Sequence, residues 1–166
     1  MRRAALAGSI LAVAAAAAVA APKGGMAPPP ARMDAEGIDA WRQQHIDASG
    51  GWALMFADGA ALSYAGGPNG VVRDKDGFLH VDVRREYYKT ITLGPQRSRS
   101  NLQTWVVDCE LKRMRVTGMN IYSLNNMRGT GIRKSAPEAR FAAVDPSDVP
   151  LIDRIRAAAS RPQPGA

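Results

Sequence analysis

Cysteine occurs once in these 166 residues, as Cys109, and histidine twice, as His45 and His80. A single cysteine excludes an intramolecular disulfide framework, so a packed core has to hold the chain together. Those three side chains show neither H-x-x-x-H nor C-x-x-C spacing, which removes any zinc signature. No serine stands in a G-x-S-x-G elbow, and no glycine pattern leads from a strand into a helix to cradle phosphate. The stretch "RDKDGF" (73 to 78) looks like part of a calcium loop, but aligning Gly77 places Val72 and Val83 where the first and last carboxylates belong. A tight Asp-Gly hairpin accounts for it better. No metal, cofactor or catalytic residue is therefore assigned, and the chain reads as non-enzymatic; a dyad of Cys109 with one of the histidines is the remaining enzymatic alternative. Against it, Asp108 and Glu110 flank the thiol with negative charge, the opposite of what stabilises a thiolate.

Long apolar runs are missing too, except at the start. Met1-Arg2-Arg3 precedes an alanine-rich run from Ala4 to Val19, and Ala18-Val19-Ala20 is an A-x-A pattern. This is the form of a secretory signal peptide, residues 1–20. An uncleaved anchor is the competing reading, opposed by the weak hydrophobicity of alanine and by Gly8 and Ser9 within the run. No transmembrane segment is expected after cleavage. Residues 21–33, "APKGGMAPPPARM", have little to bury and read as a Pro/Gly-rich flexible spacer. One folded domain is expected over 34–160, with a disordered tail over 161–166.

The formal charge is +7, falling to +5 once Arg2 and Arg3 leave with the signal peptide. An exported protein does not meet nucleic acid as its ordinary polyanion; it meets anionic glycans, lipid headgroups and acidic proteins. A protein or an anionic envelope or matrix component is therefore the expected partner class.

What is present is mostly short-period patterning. "DAEGIDAWRQQHIDASGG" (34 to 51) predicts a short N-terminal helix capped by Asp34 and stopped at Gly50-Gly51. "WALMF" and "ALSYA" predict two short strands around an Asp58-Gly59 turn, with a hard break at 66–70. In "FLHVDVRREYY" (78 to 88), Leu79, Val81, Val83, Arg85 and Tyr87 alternate with His80, Asp82, Arg84 and Glu86, which predicts an antiparallel sheet with one wet face. "LGPQRSRSN" (93 to 101) reads as an exposed loop. "LQTWVVDC" and "RMRVTGMNIYSL" read as a hairpin joined at 110–112, with Cys109 at a strand end as a small residue at the edge of the core. "GIRKS" is a candidate edge strand. "DPSDVPLIDRIRAAASRP" predicts a C-terminal amphipathic helix with its cap at Ser147 or Asp148 and a proline in the first turn. Consecutive strands followed by a helix give an α+β domain: a small antiparallel sheet of five to six strands packed by the C-terminal helix.

Positive side chains recur over several strands and turns. Arg97 and Arg99 in the expected loop, with Arg113 and Arg115 on one strand face, are the candidate binding residues for a polyanion. The alternative is a solvated surface that protects sheet edges.

"TWVVDCELKRMRVTGMNIYS" (104 to 123) resembles the hairpin of the surface-adhesin protein E family of proteobacterial exported proteins. A strand ending in an Asp/Asn-Cys pair turns and returns through an arginine to a tyrosine, and Asp108, Cys109, Arg113, Arg115 and Tyr122 stand at the matching positions. "GWALMFADGAALSYAG", "GFLHVDVRREYYK" and "FAAVDPSDVPLIDRIRAAAS" are similar to the opening strand pair, the strand before the variable loop and the closing segment. The resemblance implies a small extracytoplasmic domain, half-barrel-like, located in the periplasm or at the cell surface. Its name suggests adhesion to host surface or matrix proteins. The alternatives are a structural or stress-related periplasmic protein, and a small-molecule binder using the sheet's concavity. Relatives often carry a second cysteine near the last helix, where "RIRAAASRP" has alanines. Cys109 is then either buried or available for a disulfide-linked dimer, and burial is the favoured expectation.

Overall fold

The computed structural model describes residues 26–136 and 139–160. The signal-peptide reading, the first part of the spacer and the tail at 161–166 lie outside the described residues. α1 (Ala35–His45) begins at Asp34, whose carboxylate accepts from Gly37 N at 2.8 Å as an N-cap. Six strands follow: β1 (Trp52–Ala57), β2 (Ala61–Arg73), β3 (Leu79–Leu93), β4 (Gln96–Asp108), β5 (Arg113–Leu124) and β6 (Arg128–Ser135). A two-residue β7 (Ala142–Ala143) and α2 (Val149–Ala159) complete the chain. The six strands lie in sequence order in one open antiparallel sheet, and β7 pairs with the start of β5 beyond the end of β6. The architecture is α+β, as the sequence predicts. Among the described residues no helix is long and apolar enough to cross a membrane.

Register fixes which side chains share a face. Leu79, Val81 and Val83 of β3 stand beside Val107, Trp105 and Gln103 of β4, and Val81 and Val83 also face Val71 and Ala65 of β2. Over this face lies α2, which buries Leu151, Ile152 and Ile155 against Leu79, Val81, Trp105 and Val107. Each such aliphatic side chain taken fully out of water contributes about 1.5–3 kcal/mol before chain entropy is counted. Pro150 sits in the first turn, where no backbone N–H is required. Asp148 holds the cap position but its side chain caps nothing; its carboxylate instead accepts a hydrogen bond from Arg85 Nη2.

The opposite face departs from the expectation of a wet surface. His80 and Asp82 are partly exposed, but Arg84 and Glu86 are buried, at 2% and 0% exposure. They lie at the α1 end of the sheet, where Trp41 and Ile46 pack with Leu62, Tyr64 and Tyr88. Alternation of charge along β3 reports two faces correctly, but it cannot report that a helix covers half of one of them.

Two other expectations are corrected. The break at 66–70 is a bulge inside β2: pairing with β3 stops at Gly66 and resumes at Val71. Gly67 has φ of +65°, and a Cβ there would meet the Trp52 ring at 2.6 Å, so this position takes only glycine. The exposed loop over 93–101 is instead a turn at Gly94-Pro95 followed by β4. Ser98, Arg99, Ser100 and Asn101 are buried. The serines' polarity is absorbed by hydrogen bonds: Ser98 Oγ donates to the Ser100 carbonyl at 2.9 Å, and Ser100 Oγ to the Leu124 carbonyl at 2.7 Å.

The spacer's last residues make contacts its composition does not announce. Ala27 is 7% exposed, its carbonyl accepts from Arg99 Nη2 at 2.7 Å, and the Pro28 carbonyl accepts from Trp41 Nε1 at 2.6 Å.

Candidate functional site

Because α1 covers only one end of its face, the other end is open, and its composition follows from register. Val72, His80, Val106 and Arg115 form one row across β2, β3, β4 and β5. Asp108 and Arg113 form the next pair toward the hairpin turn. β7 runs back along β5 and brings Phe141 over both arginines, with guanidinium carbons 5.0 Å (Arg115) and 5.6 Å (Arg113) from the ring centre. Phe78, preceding β3, lies 5.2 Å from Phe141, ring centre to ring centre. The result is a surface of two aromatic rings and two guanidinium groups above Val106, which is 3% exposed. Cation–π stacking of this kind contributes about 0.5–1 kcal/mol at exposed sites, and it holds long side chains in place.

The two arginines are not equivalent. Arg113 Nη2 donates to Asp108 Oδ2 at 2.9 Å, so much of its charge is matched. Asp108 also accepts from the backbone N–H of Leu111 at 3.0 Å and of Glu110 at 3.2 Å. Those donors, the Leu111 amide first and then the guanidinium, hold its carboxyl below the ordinary aspartate value. Arg115 pairs with no carboxylate among the described residues. Arg115 is partly exposed, with its guanidinium stacked on the Phe141 ring. Nearby, His80 Nε2 lies 2.8 Å from Asp74 Oδ2, which keeps the 74–77 turn against β3. Thr104 Oγ1 and Asn69 Nδ2 both donate to Asp82, at 2.9 Å each. Partner chemistry suited to this surface is an anion with an apolar portion.

Of the four arginines singled out by sequence, the structure brings two together. Arg97 is exposed near the far tip of the β3–β4 hairpin, and Arg99 is 3% exposed and bound to the Ala27 carbonyl. Burial pulls the Arg99 guanidinium below its ordinary value, with Glu86 opposing the shift. The sequence does not single out Phe78 or Phe141 as site residues. The available signal was a lone aromatic next to Arg140 in an otherwise small and polar stretch, and a second one directly after an Asp-Gly turn. Arg84 of β3 takes no part in this surface: it is buried between Trp52 and Tyr64, 5.8 and 5.5 Å from the ring centres.

The hairpin's other marked residues have structural surroundings. Tyr122 crosses Gly131 of β6, whose added Cβ would lie 3.4 Å from Tyr122 Cδ1. Cys109 is half-buried against the α2 core, beside Val144 and Ile152. Burial raises its thiol pKa, against a smaller downward pull from Arg156 and Arg73. No group of three or more His, Cys, Asp or Glu able to hold a metal occurs among the described residues.

The family model for surface-adhesin protein E matches residues 61–151, more than half the chain. Among solved structures, crystal form II of Haemophilus influenzae protein E is similar at 14% identity, covering 69% of this chain and 91% of that one, with a TM-score of 0.50. Protein E from non-typeable Haemophilus influenzae is similar at 15% identity over 66% of this chain and 76% of that one, with a TM-score of 0.47. No curated protein matches. At such identities the first of these likenesses speaks for the fold alone.

Proposed function

The chain belongs to the surface-adhesin protein E family, and from that premise we propose that it is an exported, non-enzymatic binding domain for an anionic protein or envelope component. The observation that carries this reading is the open surface where Arg113 and Arg115 stack on Phe141. The two-residue β7 follows directly on that ring, which stays partly exposed together with Arg113 and Arg115. A hydrolase or transferase would instead need converging polar groups in a pocket. Location at the outer surface, as the family name suggests, follows from the same reading.

The test combines accessibility and binding. Protease added to intact cells is expected to degrade the protein, and full protection would leave only a periplasmic, structural role. Replacing Arg113 and Arg115 by Ser is expected to shorten retention on heparin and on immobilised lipopolysaccharide, with the wild-type interaction weakening as salt rises. Unchanged retention would remove this surface from consideration. A small-molecule reading draws support from an apolar groove of about 500 Å³ between α1 and β1–β2, lined by Met33, Ile38, Leu54 and Leu62.

A further inference from the structure

β6 is exposed at all eight of its residues. One side pairs with β5 from Gly118↔Ser135 to Leu124↔Arg128, and no strand pairs with its other side among the described residues. Alternate residues of such an edge turn their N–H and C=O groups outward, a template for another strand. The opposite edge, β1, is shorter, bulged between Leu54 and Phe56, and carries no charge. The two edges therefore offer different chemistry.

The sequence of β6, RGTGIRKS, contains Arg128, Arg133 and Lys134 and no acid. Two copies of this chain pairing edge to edge would bring two such sets of like charges together, which is unfavourable. An acidic strand meets the same edge with its charges matched. Gly131 has no side chain to obstruct approach, and Tyr122 fills the space behind it. Beside the second half of β6, a polar hollow of about 160 Å³ is lined by Thr104, Thr117, Asn120, Arg133 and Ser135. Thr104 and Thr117 already donate to Asp82 and to the Thr104 carbonyl, so the Asn120 amide, the Arg133 guanidinium and the Ser135 hydroxyl are the groups left in that hollow for a carboxylate side chain from a strand laid along β6. Ile132, 40% exposed, gives one apolar contact.

We propose that β6 is a strand-addition site for an extended acidic segment of another protein, main-chain hydrogen bonds supplying affinity and Arg128, Arg133 and Lys134 supplying selectivity. The inference deepens the reading of the chain as a binder of anionic protein, but it uses a surface separate from Arg113, Arg115 and Phe141.

The probes are two fluorescein-labelled eight-residue peptides, one alternating glutamate with valine and one alternating lysine with valine. By fluorescence anisotropy with the mature protein, the acidic peptide is expected to bind at least tenfold more tightly. Its binding should slow amide hydrogen exchange within residues 128–135. The double change Arg133→Glu with Lys134→Glu is expected to invert the preference between the peptides, an outcome that misfolding cannot imitate. The pair Arg113→Ser with Arg115→Ser should leave peptide affinity unchanged while altering heparin retention. Equal binding of both peptides, protection outside β6, or light scattering that shows the edge occupied by a second copy would overturn the proposal. Loss of peptide binding in the Arg113/Arg115 variant alone would overturn it too, and would leave the general binding function standing.

Discussion

Among single residues, the pair Arg84 and Glu86 has the most at stake energetically. Arg84 Nε donates to Glu86 Oε1 at 2.6 Å, Nη1 to the Asp47 carbonyl at 2.8 Å and Nη2 to Asn126 Oδ1 at 2.9 Å. Glu86 also accepts from the Asn126 backbone N–H at 3.0 Å and from Asn125 Nδ2 at 3.0 Å. The cluster ties the loop after α1 to the β5–β6 turn, where Asn126 and Met127 both take positive φ. Burial pushes the Glu86 carboxyl up, while Arg84 and the two asparagines pull it down. Removing one partner leaves a buried charge uncompensated, a loss of about 3–5 kcal/mol, whereas replacing both by apolar residues of similar volume costs far less. Glu86→Leu and Arg84→Met are accordingly expected to destabilise the protein severely, and the double variant by less than the sum of the two, read from urea midpoints. Single losses below about 1 kcal/mol would show that the pair is not a structural centre.

At the scale of elements, the β4–β5 hairpin is held by local bonds converging on Asp108, and its contribution depends on pH with a definite sign. The folded-state pKa lies below the unfolded value, roughly 3.9 for a free aspartate. Its stabilisation is thus fully present above that unfolded value and is lost as pH falls through the folded one. Asp108→Asn is expected to lower the denaturation midpoint at pH 7, and its curve of midpoint against pH should converge with that of the parent in acid. Parallel curves down to pH 2 would contradict the assignment. Elements of this kind were legible because their signals are local: the Asp34 cap, the Asp-Gly turns, the period of β3 and the proline in the first turn of α2. Segment 93–101 resists reading for the opposite reason. Its serines and the Arg99 Nη2 are polar in composition but donate to carbonyls of residues 27, 100, 122 and 124, partners mostly distant in sequence. The candidate surface divides the same way: Arg113 and Arg115 follow from strand alternation, while Phe141 reaches them only through the pairing of β7.

For the molecule as a whole, α2 decides what the lone thiol can do. Cys109 is the first turn residue after β4, at a point where Val144, Val149 and Ile152 close around it, leaving it partly exposed and raised in pKa by burial. Thiolate is the reactive form, so both the raised pKa and the packing slow its oxidation. A disulfide between two chains requires the two Cβ atoms to approach within about 3.5–4.5 Å. Lifting α2 from the sheet, which exposes Leu151, Ile152 and Ile155, would free the buried side of the thiol for such an approach. A cost for that opening would then slow dimerisation. Native protein is expected to react with a thiol reagent far more slowly than denatured protein, with the rate rising through the urea transition in step with the unfolded fraction. Non-reducing electrophoresis of export-fraction material is expected to show a monomer. Replacing Ile155 by Ala, which loosens α2 without touching the thiol, should accelerate the native reaction, whereas a thiol fully open to solvent would react at one fast rate in both proteins and give a dimer band that disappears in Cys109→Ser.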